Sequence, residues 1–192
     1  MILTDGVIGQ MMEKVKLPAW QQRRSEQEIR EQCPWATLGK TADRKPNIIT
    51  SLELDSAAME KNNERFQAKY RVVEATEVRY EEIKCDDADY LLVAFGSAAR
   101  ICQKTIDLAR KEGIKVGLVR PITLWPFPTE VLHAYGGRVK GMLTVELNAG
   151  QMVEDVRLAV NGQIPVAHYG RLGGIVPTPE GVLAALKEKV VH

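Results

Sequence analysis

From Asp87 onward, short unbroken apolar runs alternate with amphipathic stretches. Ala88 to Phe95 (ADYLLVAF) is apolar throughout and ends in Gly96-Ser97. Ala98, Ile101, Cys102, Thr105, Leu108 and Ala109 then fall at helical spacing, and Gly113 is placed to end that helix. The pattern repeats with a strand over Ile114–Val119, a short helix over Thr129–Tyr135, a strand over Met142–Leu147, a helix over Gln151–Val160 and a strand over Ile164–Tyr169. Thr178 is positioned to cap a last helix with Pro179 at its first position and Val182, Leu183 and Leu186 on its apolar face. Strands apolar on both faces, interleaved with helices, require a mainly parallel sheet covered on both sides. The expected fold is therefore a doubly wound α/β domain over about residues 86–192.

The preceding chain lacks this rhythm. Between Lys14 and Glu82, Pro18, Pro34, Gly39 and Pro46 interrupt any regular element, and turn residues mix with isolated aromatics such as Trp20 and Trp35. One helix is expected within it. Asp55 or Ser56 can cap a segment in which Met59, Phe66, Tyr70 and Val73 recur at roughly helical spacing. The basic cluster at Gln21–Arg24 runs directly into Glu26, Glu28 and Glu31, as on a solvated helical face. The segment 14–85 reads as an extended arm with one helix, docked through its aromatic residues rather than disordered. Met1–Thr4 reads as the tail of a strand broken at Asp5-Gly6. A strand so short does not stand alone, so a neighbouring domain is expected upstream.

Composition narrows the function classes. With 45% apolar and 27% charged residues, the 192-residue chain is that of a globular protein with a sizeable core. A formal net charge of +1 gives no electrostatic case for nucleic acid or an anionic membrane. No apolar run approaches the ~20 residues that span a bilayer. The first residues lack the charged leader and small-residue cleavage site of a secretory signal, so a cytoplasmic location is expected. Cys33, Cys85 and Cys102 are widely separated, with no Cys-x-x-Cys or Cys/His grouping, so neither zinc nor an iron–sulfur cluster is expected on this chain alone.

Five residues are candidates for ligand contact. Gly96 and Ser97 form a strand-to-helix turn of the kind that presents free amides to an anion, or else a plain turn with a serine cap. A lone glycine does not make a dinucleotide fingerprint. Arg120, Glu146 and Asn148 fall at the carboxyl ends of strands, where ligands gather in open α/β sheets; a layer of salt bridges between domains or subunits explains them equally. No Ser-His-Asp or Cys-His arrangement can be assembled. His133, His168 and His192 look isolated, and no catalytic residue is assigned. Trp125-Pro126-Phe127-Pro128 makes a stiff corner suited to a protein interface or to local packing. Gly170, Gly173 and Gly174 read as loop glycines allowing positive φ, or as sites of close backbone contact.

The stretch GLVRPITLWPFPTEVLHAYGGRVKGMLTVELNAGQMVEDV, together with Tyr169-Gly170-Arg171-Leu172-Gly173-Gly174-Ile175-Val176-Pro177-Thr178-Pro179-Glu180, closely resembles the α subunit of 2-oxoacid:ferredoxin oxidoreductases. The 2-oxoisovalerate and 2-oxoglutarate enzymes are the nearest types. The resemblance is dense from Thr123 to Glu180 and recognisable from Lys45-Pro46-Asn47-Ile48-Ile49-Thr50-Ser51-Leu52 onward. It implies that residues 1–13 are the remnant of an upstream pyrimidine-binding thiamine domain, 14–85 a linker arm with a helix, and 86–192 an assembly domain resembling the transketolase C-terminal domain. In such enzymes thiamine diphosphate, magnesium and iron–sulfur clusters carry the oxidative decarboxylation of a 2-oxoacid to an acyl-CoA, with reduction of ferredoxin. None of these cofactors would be bound by this chain alone. The implied partners are the β and γ or δ subunits, ferredoxin through the complex, and a second copy in a homodimer. A free-standing α/β interaction module reusing the fold is the alternative.

Overall fold

The computed structural model describes all residues except 5, 13, 37, 38, 40, 41, 43, 44, 47, 49 and 192. Asp5, Asn47, Ile49 and His192, named above, thus lie outside the described residues. The chain divides into two compact units: 1–11 with 68–192, and 12–67.

The larger unit holds a five-stranded sheet in the order β1-β3-β2-β4-β5, comprising β1 (Tyr80–Ile83), β2 (Tyr90–Val93), β3 (Val116–Pro121), β4 (Gly141–Glu146) and β5 (Val166–Gly170). Strands β2 to β5 are mutually parallel, and only β1 runs antiparallel, along β3. Helices α4 (Gly96–Lys111) and α7 (Pro179–Lys189) cover one face. Helices α5 (Thr129–Gly136) and α6 (Met152–Val160) cover the other. The alternation expected from residue 86 onward is present, with boundaries shifted by at most two residues, as helix and strand ends commonly are.

The reason for the unbroken apolar strands is visible side chain by side chain. On β2, Tyr90 and Leu92 enter the core beneath α4 and α7, while Leu91 and Val93 enter the core beneath α5 and α6. The same division separates Leu118 from Val119 on β3 and Leu143 from Met142 on β4. A leucine buried this fully contributes about 1.5–3 kcal/mol relative to exposure. Gly113 ends α4 in the left-handed region at φ +81°, where a side chain would be strained. At the start of α7, the Thr178 hydroxyl accepts a hydrogen bond from the Gly181 amide (3.1 Å), with Pro179 in the first helical turn.

One sequence expectation is corrected, and one element went unforeseen. Met1–Thr4 forms no strand; the short helix α1 (Gly6–Gln10) follows it, and Met1–Leu3 line a cavity beside Pro121–Trp125 instead of joining a sheet edge. The edges are occupied by β1 and β5. The β1 strand itself went unforeseen, because Tyr-Glu-Glu-Ile on an exposed edge carries no apolar run to mark it.

In the 12–67 unit, the Gln21–Glu31 charge pattern is indeed helical over α2 (Glu26–Gln32). It starts in a capping box in which Ser25 and Glu28 bond reciprocally to each other's amides. Trp20 and Trp35 are 83% and 62% exposed. Helix α3 (Ser56–Thr76) begins in this unit and ends in the other. Its first turn is capped as expected, with the Ala58 amide donating to Asp55 Oδ1 at 2.8 Å. No residue of α3 is buried, so this cap matters more to it than packing does. Asp55→Ala is expected to cost about 1 kcal/mol of local helix stability. Faster amide hydrogen exchange confined to residues 56–60 would show it, and unchanged exchange there would refute it.

Candidate functional site

The carboxyl ends of β2, β3, β4 and β5 share one edge of the sheet. Helix α4 leaves this edge over one face and α6 over the other, so the turns after β2 and β4 diverge. This is the geometry that opens a ligand crevice in doubly wound sheets. The five candidate residues all lie along it, yet their side chains are committed in different directions.

Glu146 is 2% exposed and ends β4. Its carboxylate accepts hydrogen bonds from the amides of Gln151 (3.1 Å), Met152 (2.9 Å) and Val153 (3.0 Å). Three otherwise unpaired donors at the start of α6 are thereby satisfied by one anion at the positive end of the helix. Asn148 closes the intervening turn, its Oδ1 accepting from the Gly150 amide at 2.7 Å. Arg120 is ion-paired with Glu81 (2.7 Å), its direct cross-strand neighbour on β1. The polar set expected to converge therefore does not: Arg120 is held on the β1 side of β3, two strands from Glu146.

Gly96 takes φ +58° as the first residue of α4. The N-cap is Phe95, and Ser97 lies buried inside the first turn, which corrects the expected serine cap.

His168 is not isolated. Its register partner on β4 is Thr144, which brings Glu146, two residues further on, alongside; His168 Nε2 lies 3.7 Å from Glu146 Oε1. Adjacent parallel strands create this proximity across 22 positions of sequence, where linear spacing shows nothing. Gly170 is needed for close approach rather than for positive φ: a Cβ there would collide with the Asn148 carbonyl oxygen and the His168 ring. Gly173 and Gly174 do adopt positive φ, at +64° and +82°. His133 Nδ1 faces the Ala159 carbonyl at 3.1 Å.

A second polar cluster was missed. The Tyr135 hydroxyl donates to Glu82 Oε1 at 2.5 Å, close to the buried Cys85 thiol, which itself contacts the Leu118 carbonyl at 3.3 Å. Desolvation first, then the bond to Glu82, raises the Tyr135 phenol above its ordinary range, and desolvation likewise raises Cys85. Both groups are thus held neutral, which suits packing rather than nucleophilic attack. No sequence signal joins these residues, because β1 brings Glu82 to α5 only in the folded chain.

The Trp125–Pro128 corner is used in part for local packing. Phe127 packs against the core beneath α5 and α6, while Trp125 remains 56% exposed and meets the Tyr70 ring edge-on at 5.5 Å. Beside it lies a groove of about 570 Å³ lined by Glu74, Val78, Phe127, Glu130, Asp155 and Leu158, among others. Burial, then the charges of Glu146 and Glu154, raises the Asp155 carboxyl above the usual aspartate range.

Residues 88–182 match the pyruvate:ferredoxin oxidoreductase core domain II family. The α/β domain is a member of it. Along 187 residues, the chain is 39% identical to the ketoisovalerate oxidoreductase subunit VorB of Methanothermobacter marburgensis, covering 97% of this chain and 51% of that one. It is 31% identical over 98 residues to the 2-oxoglutarate synthase subunit KorA of the same organism, covering 51% and 26%. A solved 2-oxoglutarate:ferredoxin oxidoreductase from Magnetococcus marinus, with 2-oxoglutarate, coenzyme A and succinyl-CoA bound, superposes with a TM-score of 0.62 at 25% identity. That match covers 71% of this chain and 24% of that one. The chain spans about half the length of the VorB relatives that it matches. In this core domain II the matched segment begins just before β2 and ends within α7, so it contains the α/β sandwich without β1.

Proposed function

We propose that this chain is the C-terminal part of the α subunit of a thiamine-diphosphate-dependent 2-oxoacid:ferredoxin oxidoreductase, serving assembly rather than chemistry. The complete enzyme would convert a 2-oxoacid and coenzyme A to an acyl-CoA and carbon dioxide, passing two electrons to ferredoxin. The reading is supported above all by an identity of 39% that runs along nearly the whole chain but half of its ketoisovalerate relative. It favours a branched-chain 2-oxoacid. On this reading residues 1–13 border a thiamine domain, 14–85 form the connecting arm, and 86–192 the assembly domain, in a cytoplasmic complex with β and γ or δ subunits and a second α copy.

Among the described residues, the donors present do not fit the metal cofactors of such an enzyme. Cys85 and Cys102 lie in cores on opposite faces of the sheet, so these two thiols do not share one cluster. Among the described residues no group of His, Cys, Asp or Glu is arranged to hold a metal ion, including the magnesium that accompanies a diphosphate. Among them, too, no helix is long and apolar enough to cross a membrane. The chain's own contribution is then a rigid edge, with Glu146, Asn148 and Gly170 fixing the loops that a partner subunit would meet.

Co-expression tests this directly. A tagged chain is expected to co-purify with the β and γ or δ subunits of a branched-chain 2-oxoacid:ferredoxin oxidoreductase. Alone, with thiamine diphosphate, magnesium, coenzyme A and ferredoxin supplied, it is expected to give no 2-oxoacid-dependent reduction above a protein-free control. Failure to co-purify would remove the assembly role; turnover by the isolated chain would remove the non-catalytic one.

A further inference from the structure

The groove beside Trp125 has a definite chemistry. Val78, Trp125, Pro126, Phe127 and Leu158 supply apolar wall, with Leu158 79% exposed. Glu74, Glu130 and Asp155 supply three carboxylates, and no lysine or arginine lines it. Among the described residues none of these carboxylates has an ion-pair partner. An apolar slot rimmed by unpaired negative charge suits a segment that alternates large apolar groups with cations.

This chain carries such a segment. Residues 14–24 read Lys-Val-Lys-Leu-Pro-Ala-Trp-Gln-Gln-Arg-Arg, four cations and no acid. They form no helix or strand. Val15, Leu17 and Trp20 are 80%, 80% and 83% exposed. Extended, the eleven residues reach about 36–40 Å. The segment and the groove have complementary charge and matched apolar character.

We propose that the basic segment 14–24 of one copy docks in the acidic groove of a second copy, giving a reciprocal dimer with two equivalent contacts. The proposal deepens the homodimer named above, since it identifies the contact that would hold it. Trp20 enters beside Trp125 and Leu158, while Arg23 and Arg24 meet Glu130 and Asp155. Aromatic and arginine side chains are the groups that most often dominate such contacts. Docking a cation there also relieves the mutual repulsion of Asp155 with Glu146 and Glu154. Two-fold symmetry closes the arrangement, so association stops at two copies.

Sedimentation velocity of the full chain provides the test. The wild type is expected to be a dimer at tens of micromolar, weakening at least tenfold between 50 and 500 mM salt. Trp20→Ala with Arg23→Glu and Arg24→Glu, all on exposed residues, is expected to give a monomer, and so is Glu130→Lys with Asp155→Lys. Combining Arg23→Glu, Arg24→Glu, Glu130→Lys and Asp155→Lys in one chain is expected to restore the dimer. A wild-type monomer would overturn both this contact and the homodimer. A dimer indifferent to either variant, or a charge reversal without rescue, would overturn the contact while the homodimer stands.

Discussion

Glu146→Ala is expected to lower the stability of the α/β unit by about 3 kcal/mol, with a fall in Tm of ~6–12 °C. The residue ends a central strand and is fully enclosed, yet its carboxylate is satisfied by three amides of the first turn of α6. Hydrogen bonds to a charged acceptor contribute about 1.5–3 kcal/mol each, and an anion at a helix N-terminus adds up to ~2 kcal/mol in partly buried geometry. These contributions are not additive. Gln151 lies at the surface and water can replace its bond, whereas Met152 and Val153 are buried and would be left with unmet donors. Glu146→Gln keeps one acceptor oxygen but turns an amide donor toward other donors, so about half the loss is expected. Urea unfolding of the two variants checks the assignment. A loss below about 0.5 kcal/mol for the alanine variant would show that the carboxylate does not hold α6.

That single residue also shows where sequence reading stops. Glu146 and Asn148 stand out as polar groups at a strand end, the position where ligand-binding residues gather, and nothing linear distinguishes a ligand contact from a helix anchor. The distinction depends on α6 starting beside β4. His168 poses the same problem, since its nearness to Glu146 exists only across the β4–β5 register. By contrast, the four parallel strands and their covering helices were legible because burial on both faces leaves a continuous apolar run that few other structures explain. The edge strand β1 lacked that mark. The α2 helix did carry a local signal, Ser25 followed three residues later by Glu28, but only its charge pattern was read. The resemblance carried the family assignment, while physical pattern alone carried the fold.

Alkaline pH is expected to destabilise the α/β unit before any ordinary phenol or lysine titrates. Cys102 on α4 is fully buried among Leu92, Ile106, Leu143 and other apolar neighbours, and desolvation raises its thiol far above the ordinary range. Cys85, on the opposite face, is raised as well, by desolvation first. In the unfolded chain both thiols return to a pKa of about 8.5. Below that pH both states are neutral and the folded state is unaffected. Above it the unfolded state loses protons that the folded state keeps, so unfolding is favoured by ~1.4 kcal/mol per pH unit for each such thiol. The loss continues until the folded pKa is reached. For Cys102 alone it amounts to about 2.7 kcal/mol by pH 10.5. Tyr135, also raised, adds a further decline above ~pH 10. Urea midpoints between pH 7.5 and 10.5 should therefore fall more steeply in the wild type than in Cys102→Ala. That variant gives up about 1 kcal/mol of packing at neutral pH, so its curve should begin lower and converge on the wild type's, crossing it at ~pH 9.2. Parallel curves would mean that the Cys102 thiol ionises as readily in the folded chain as in the unfolded one.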